Sequence, residues 1–429
     1  MTKAQPSSAW RFALLPALAM SVGWGLRGFI GGGPVGAMIP GALVAMALSM
    51  AMPATRNRWG LVAAAGAVGI GFGGQMTYGQ TVGFSLAKDT LWWGLAGLSL
   101  KGAVWGLLGG AVLGAAFVVT RRGRRAFLVA LLLMVAGALA GWKLFNEPKL
   151  IYFSNPADKP RPEIWAGLLL GAVLFLAWLA RAGFARIPAR FALAGAVGGG
   201  LGFGLGGALQ ALGRSLPVDH EWFAWWKLME FTFGFCFGLA VALCAHRNRA
   251  AIESAGKEPV AHGPSCEPWF VLLATATLAA GILVLEPALP LRFGYSIVGA
   301  FLIGIALYAD DLAWQIAITL TFAGFATDLA EYLSVNHRIS GTTVPLLLVA
   351  TSLAVSVLVL RRYLRARPLL PWAFFLLLGA ALSDSLIKAY FHPRPWRGVL
   401  VEQLAFLIGA AAIAAVAHGN RDSYLPPAS

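Results

Sequence analysis

The feature that most restricts this chain is its succession of apolar runs, with almost no polar sequence left between them. A helix rises 1.5 Å per residue, so about 20 apolar residues cover the ~30 Å hydrocarbon core of a bilayer. Fourteen windows of that kind can be marked, near residues 10–30, 34–53, 60–79, 91–119, 126–145, 164–182, 190–213, 222–245, 269–286, 291–309, 312–333, 343–361, 369–390 and 399–418. The longest polar stretches, about 147–163 and 246–268, are too short for an extramembrane domain. The expectation is therefore an all-α, polytopic integral membrane protein of about fourteen transmembrane helices. It divides into an N-terminal bundle (1–249, about eight helices), a cytoplasmic loop (250–268) and a C-terminal bundle (269–429, about six helices).

Composition agrees with that reading. Hydrophobic residues make up 59% of the 429 and charged residues only 12%, about half of what soluble domains carry, and the mean hydropathy is +0.73. The first window follows Lys3 and Arg11 and runs through Ile30 without a small-residue cleavage pattern, so it reads as a retained helix rather than a signal peptide.

The net charge of +15 would suggest nucleic acid in a soluble domain, but the basic residues sit in short clusters between apolar windows and are read as topology signals. The clusters are Arg56/Arg58, Arg121/Arg122/Arg124/Arg125, Arg181/Arg186/Arg190, Arg247/Arg249/Lys257 and Arg361/Arg362/Arg365/Arg367, with Arg421 in the tail. All fall on one side of a fourteen-span count. That predicts a bacterial inner-membrane protein with both termini cytoplasmic. Arg394 and Arg397, on the predicted outer side, and Asp310/Asp311, on the inner side, run against the rule.

Glycine, at 52 residues, is well above the usual ~7%, and it lies inside the apolar runs, where small residues let helix backbones approach. Gly206–Arg249 aligns without a gap with Leu378–Arg421 at an offset of 172. Gly207 meets Gly379, Glu230 meets Glu402, and Ala245-His246-x-Asn248-Arg249 meets Ala417-His418-x-Asn420-Arg421. A weaker relation joins Gly71–Arg125 to Gly202–Arg249 through Gly-Phe-Gly and Trp-Trp pairs. Repeated helix hairpins are expected. The stretch Gly23 to Pro34, with Arg27 inside it, reads either as a broken helix at membrane depth or as a tight outer turn whose Arg27 meets headgroups.

Ionisable groups inside apolar spans are costly and by default mark a functional interior. Lys101, Glu230, Asp328 and Asp384 lie within spans, and Lys227, Glu331, Lys388 and Glu402 lie near their ends. Lys227/Glu230, Asp328/Glu331 and Asp384/Lys388 are spaced to share helix faces. Asp328/Glu331 contains no cation, so one carboxylate of that pair is expected to hold a proton or a cation. His246 and His418 read as helix C-terminal caps.

Trp92, Trp93, Trp225 and Trp226 end their windows in the manner of an interfacial belt. Lys388, His392, Arg394 and Arg397 form a basic cluster on the predicted outer side, suited to a phosphate or carboxylate. Lys388-x5-Arg394-Pro395 resembles the first motif of the membrane phosphatases related to type 2 phosphatidic acid phosphatase, which has one more residue in the gap. The resemblance covers only 388–395, and the histidine-bearing elements of that family are absent from the sequence. Cys236, Cys244 and Cys266 form no metal-ligand pattern.

The functional expectation is a secondary transporter for a small polar or anionic solute, with proton or cation coupling. Arg27, Lys101, Trp225 and Trp226 are assigned to the substrate, and Glu230, Asp328, Glu331 and Asp384 to coupling. The partners expected are the lipid bilayer and a small-molecule solute, with no nucleic acid, no metal and no cofactor. The alternatives are a membrane enzyme using Asp219, His220, Glu221, His337, His392 and Arg394 on a lipid-linked or periplasmic substrate, and a membrane scaffold.

Overall fold

A computed structural model describes residues 8–30, 33–155, 163–218, 220, 223–258, 260, 294–335, 350–351, 354, 369–391 and 396–420. Among these the regular structure is helical. The elements are α1 (Ala9–Arg27), α2 (Gly33–Ala51), α3 (Trp59–Gly73), α4 (Gly79–Leu86), α5 (Leu91–Val118), α6 (Arg124–Gly141) and α7 (Trp165–Arg181). They continue with α8 (Arg186–Ser215), α9 (Trp225–Arg247), α10 (Arg249–Gly256), α11 (Gly294–Ala306), α12 (Asp310–Val335), α13 (Leu369–Tyr390) and α14 (Trp396–Gly419).

Nine helices among the described residues are long and apolar enough to cross a membrane, the make-up of a helical membrane protein. That is fewer than the fourteen windows. The windows at 269–286 and 343–361 lie wholly or almost wholly outside the described residues. The window at 60–79 holds only the 15-residue α3 and the one at 164–182 only the 17-residue α7, while the described part of 291–309 begins at Gly294 with α11. A count of apolar residues runs straight across a break that ends a helix.

The helices are apolar on both faces, and side-chain size decides which face goes inside. In α8 the buried stripe includes Gly195, Gly198, Gly199, Gly202, Gly206 and Gly207, while the opposite face exposes Leu193 and Leu201 at 66% and 67%. Small residues inside and large apolar residues outside is the pattern of helices packed in lipid. Here α5 and α8 cross backbone to backbone. A methyl group on Gly106 would run into the carbonyl of Gly195, and one on Gly102 into that of Gly199.

At one end of the bundle the fold is locked by Arg58, whose side chain is fully buried. Its Nη1 donates to Phe117 O and Val119 O at 2.9 and 3.0 Å, and its Nη2 to Ala255 O and Glu258 O. It thereby serves carbonyls that α5 and α10 leave without partners at their ends. Burial pulls the guanidinium down to about 10, with Glu258 opposing, so Arg58 remains charged at neutral pH. The same end brings Arg190 to Asn248 and the ring of Phe12 to His246. Asp310, which opens α12, accepts from Leu61 N at 3.2 Å and supplies the first turn of α3 with an acceptor.

Shifted by 172, the bounds of α9 become 397–419, against 396–419 for α14. The two helices flank α1: a side chain at Gly25 would collide with Phe231 of α9 and Phe406 of α14.

Candidate functional site

The site grows from an interruption in one helix. Along α5, Ser85 of α4 lies against Gly94, Thr81 against Gly97, and Gly73 of α3 against Trp105. Helices α3 and α4 are thus two halves of one broken helix, antiparallel to α5, with the break at residues 74–78. A break frees backbone groups that must find partners away from water. Trp105 Nε1 donates to Ile70 O at 2.6 Å, and Lys101 Nζ to Thr77 O at 2.7 Å. Both donors come from the middle of α5, ~15–20 Å from its first residue on helical rise.

Tyr78 ends the break and Arg27 ends α1, and the two meet. Arg27 Nη1 donates to Tyr78 Oη at 2.5 Å, and Tyr78 Oη donates to Glu230 Oε1 at 3.0 Å. Trp226 Nε1 donates to the same oxygen at 3.0 Å, and Lys227 Nζ to Glu230 Oε2 at 2.9 Å. Glu230 is 1% exposed and Arg27 5%. The guanidinium lies 5.6, 5.1 and 5.3 Å from the ring centroids of Trp24, Tyr78 and Trp105, an aromatic box that favours a cation.

The tip between α1 and α2 joins this network to a second one. The end of α1 and the turn after it leave carbonyls without intrahelical partners, and lysines take one from each. Lys227 donates to Gly25 O at 2.8 Å and Lys388 to Phe29 O, each placing a cation at the negative end of the helix dipole. Lys227 is also 3.8 Å from Glu402 Oε1, so the two glutamates that align at the 172 offset converge on one ammonium. Lys388 is bonded to Asp328 and lies 3.4 Å from Asp384. Neither oxygen of Asp384, which is 4% exposed, has a hydrogen-bond partner. Among the described residues, then, two carboxylates face one ammonium in a place where charge is costly.

A third group lies on the other side of the break. Lys101 donates to Thr81 Oγ1 and Glu163 Oε1, both at 2.8 Å, besides Thr77 O. Glu163 also accepts from Phe153 N and Ser154 Oγ. Both ends of this pair are buried.

These positions bear unevenly on the residues singled out in the sequence. Arg27, Trp226 and Glu230 come together with Lys227 and Glu402, and Asp328 comes together with Asp384 and Lys388. Arg27 does not face headgroups: α1 stays helical through it, and only the tip at Gly28 is exposed. Trp225 lies apart, over Gly213, donating to His220 Nδ1. Asp328 draws its cation from another helix, which spacing within α12 did not reveal. The Glu331 side chain, and His392, Arg394, His337, Asp219 and Glu221, lie outside the described residues. Arg397 is exposed, whereas Lys388 is buried beside Asp328 and Asp384.

Four participants were missed: Trp24, Tyr78, Trp105 and Glu163. Tyr78 had a signal, the Gly71-x-Gly73-Gly74 run just before it. Glu163 had only its place at the edge of an apolar run. No family model, curated protein or solved structure gives a significant match to this chain.

Proposed function

We propose that this protein is a secondary transporter that moves a small anionic solute across a bacterial inner membrane and couples the movement to a proton at Asp384. The observation that carries the reading is the gathering of Arg27, Glu230, Lys227, Lys388, Asp328 and Asp384 around one helix tip, beside a broken helix and inside the bundle. Broken helices with buried ionisable groups are how transporters build solute sites in a bilayer. A proton on Asp384 removes the excess negative charge of its group and leaves Lys388 paired with Asp328.

The same reading takes both termini as cytoplasmic, supported at the N-terminal side by the Arg249 guanidinium over the ring of Phe12 at the start of α1. It takes α8–α9 and α13–α14 as copies of one hairpin, supported by the matching bounds of α9 and α14 and by the convergence of Glu230 and Glu402.

The test is solute-evoked proton movement in proteoliposomes with an entrapped pH dye. Small organic anions presented one at a time should evoke a saturable signal in the wild type and none in Asp384→Asn or Arg27→Gln. A panel that evokes nothing, or a signal surviving both substitutions, would sink the reading.

A further inference from the structure

Arg27 is a buried cation with most of its hydrogen-bonding capacity unspent. A guanidinium carries five N–H donors, yet among the described residues the one hydrogen bond of Arg27 uses Nη1, toward Tyr78. Its Nε is buried without a partner, and so is Nε1 of Trp24, one turn earlier on the same face of α1. Trp24 is fully buried and Arg27 95% buried. Buried donors are nearly always satisfied in native proteins, so these two, on residues whose guanidinium and indole ring lie 5.6 Å apart, ask for an acceptor.

The acceptor does not come from the carboxylates of the network. Glu230 already receives Tyr78, Trp226 and Lys227, and Glu402 lies beside Lys227. The free edge of Arg27 is the one formed by Nε and Nη2, which takes the two oxygens of a carboxylate side-on in the bidentate geometry that makes such pairs strong. Lys101 and Lys227 are each committed to three partners. Among the described residues of this network, then, a single unfilled cation edge remains, and it matches one carboxylate.

We infer that the solute is a small monocarboxylate, held side-on by the Nε and Nη2 groups of Arg27 and by the indole N–H of Trp24. This inference names the solute class for the transport reading above and rests on it. Gly28, exposed at the tip with Lys227 and Glu230 beneath it, marks the side from which the carboxylate arrives. The aromatic rings of Trp24, Tyr78 and Trp105 hold the guanidinium in place and exclude water from the pair.

Calorimetric titration of the purified full chain in detergent tests this without any transport step. Acetate, lactate and benzoate are the probes, with acetamide as the neutral isostere and inorganic phosphate as the competing anion. At least one carboxylate should bind saturably, and acetamide and phosphate at least about tenfold more weakly. Arg27→Gln should weaken binding about ten- to a hundredfold, the range for a charge-assisted pair, and Trp24→Phe about three- to tenfold. Arg27→Lys, which keeps the charge and loses the fork, should still weaken it. Each variant must first elute as the wild type does on size exclusion.

Equal binding of acetamide or phosphate, unchanged binding by Arg27→Gln, or no saturable binding of any of the three carboxylates would overturn the assignment. Carboxylate binding without proton movement in liposomes would defeat the transport reading and leave this site standing. Solute-evoked flux with no carboxylate bound at Arg27 would do the reverse.

Discussion

Lys101 and Lys388 are both buried ammoniums on long helices, yet their surroundings close differently. Lys101 meets one carboxylate and two neutral oxygens, Glu163 meets two further donors, and the charges cancel. Lys388 stands between two carboxylates, and both oxygens of Asp384 go without a hydrogen bond. A closed set of partners fixes structure, because any change leaves a buried group bare. Two carboxylates sharing one ammonium among the described residues have somewhere to put a proton. One lysine is thus a clamp that ties Glu163, with Phe153 and Ser154 on it, to the broken helix, and the other belongs to the group proposed to exchange.

The largest effect should fall on the clamp. Lys101→Met strips Glu163 of its cation and should cost about 3–5 kcal/mol, the usual result of halving a buried pair, read as thermal unfolding in detergent. Adding Glu163→Leu to that variant should recover most of the loss. If the double variant is no better than the single, Lys101 has a role other than charge balance.

Thr81→Val should cost about 1–3 kcal/mol by leaving one Lys101 proton without an acceptor. A neutral result would mean that water reaches that side of the ammonium.

Asp384→Asn should change stability by no more than about 1 kcal/mol, since the amide resembles the protonated acid and loses no hydrogen bond, while solute-driven proton movement disappears. A loss of stability as large as that of Lys101→Met would erase the contrast between the two lysines. Smallest of all, Trp225→Phe should leave uptake unchanged and shift stability by less than about 1 kcal/mol, whereas Trp226→Phe removes a donor from Glu230 and should impair uptake.

How much of this was legible beforehand follows from the range of each interaction. The apolar windows found the helices because burial in lipid acts on every residue of a span. Lys227/Glu230 and Asp384/Lys388 were found because both members ride one helix, where three or four residues return to the same face. Partners brought in by packing were not: the Lys388 of Asp328, the Tyr78 between Arg27 and Glu230, and the Glu163 of Lys101 are 51 to 152 residues from their partners. The break at 74–78 was ambiguous for another reason. Its glycines serve as well for close packing as for ending a helix, and only the docking of Trp105 and Lys101 onto the freed carbonyls tells the two uses apart.

Arg58 has a mechanical side. Its four acceptors sit on two stretches of chain, about 60 and about 200 residues away, so a helix tilting against that end of the bundle would turn about Arg58. A helix held at a pivot is a lever. With ~1.5 Å of rise per residue, the 28 residues of α5 make an arm of about 42 Å. A tilt of about 5° at Arg58 would carry its far end through about 4 Å, enough to part a hydrogen bond there while leaving the anchored carbonyls within reach of the guanidinium.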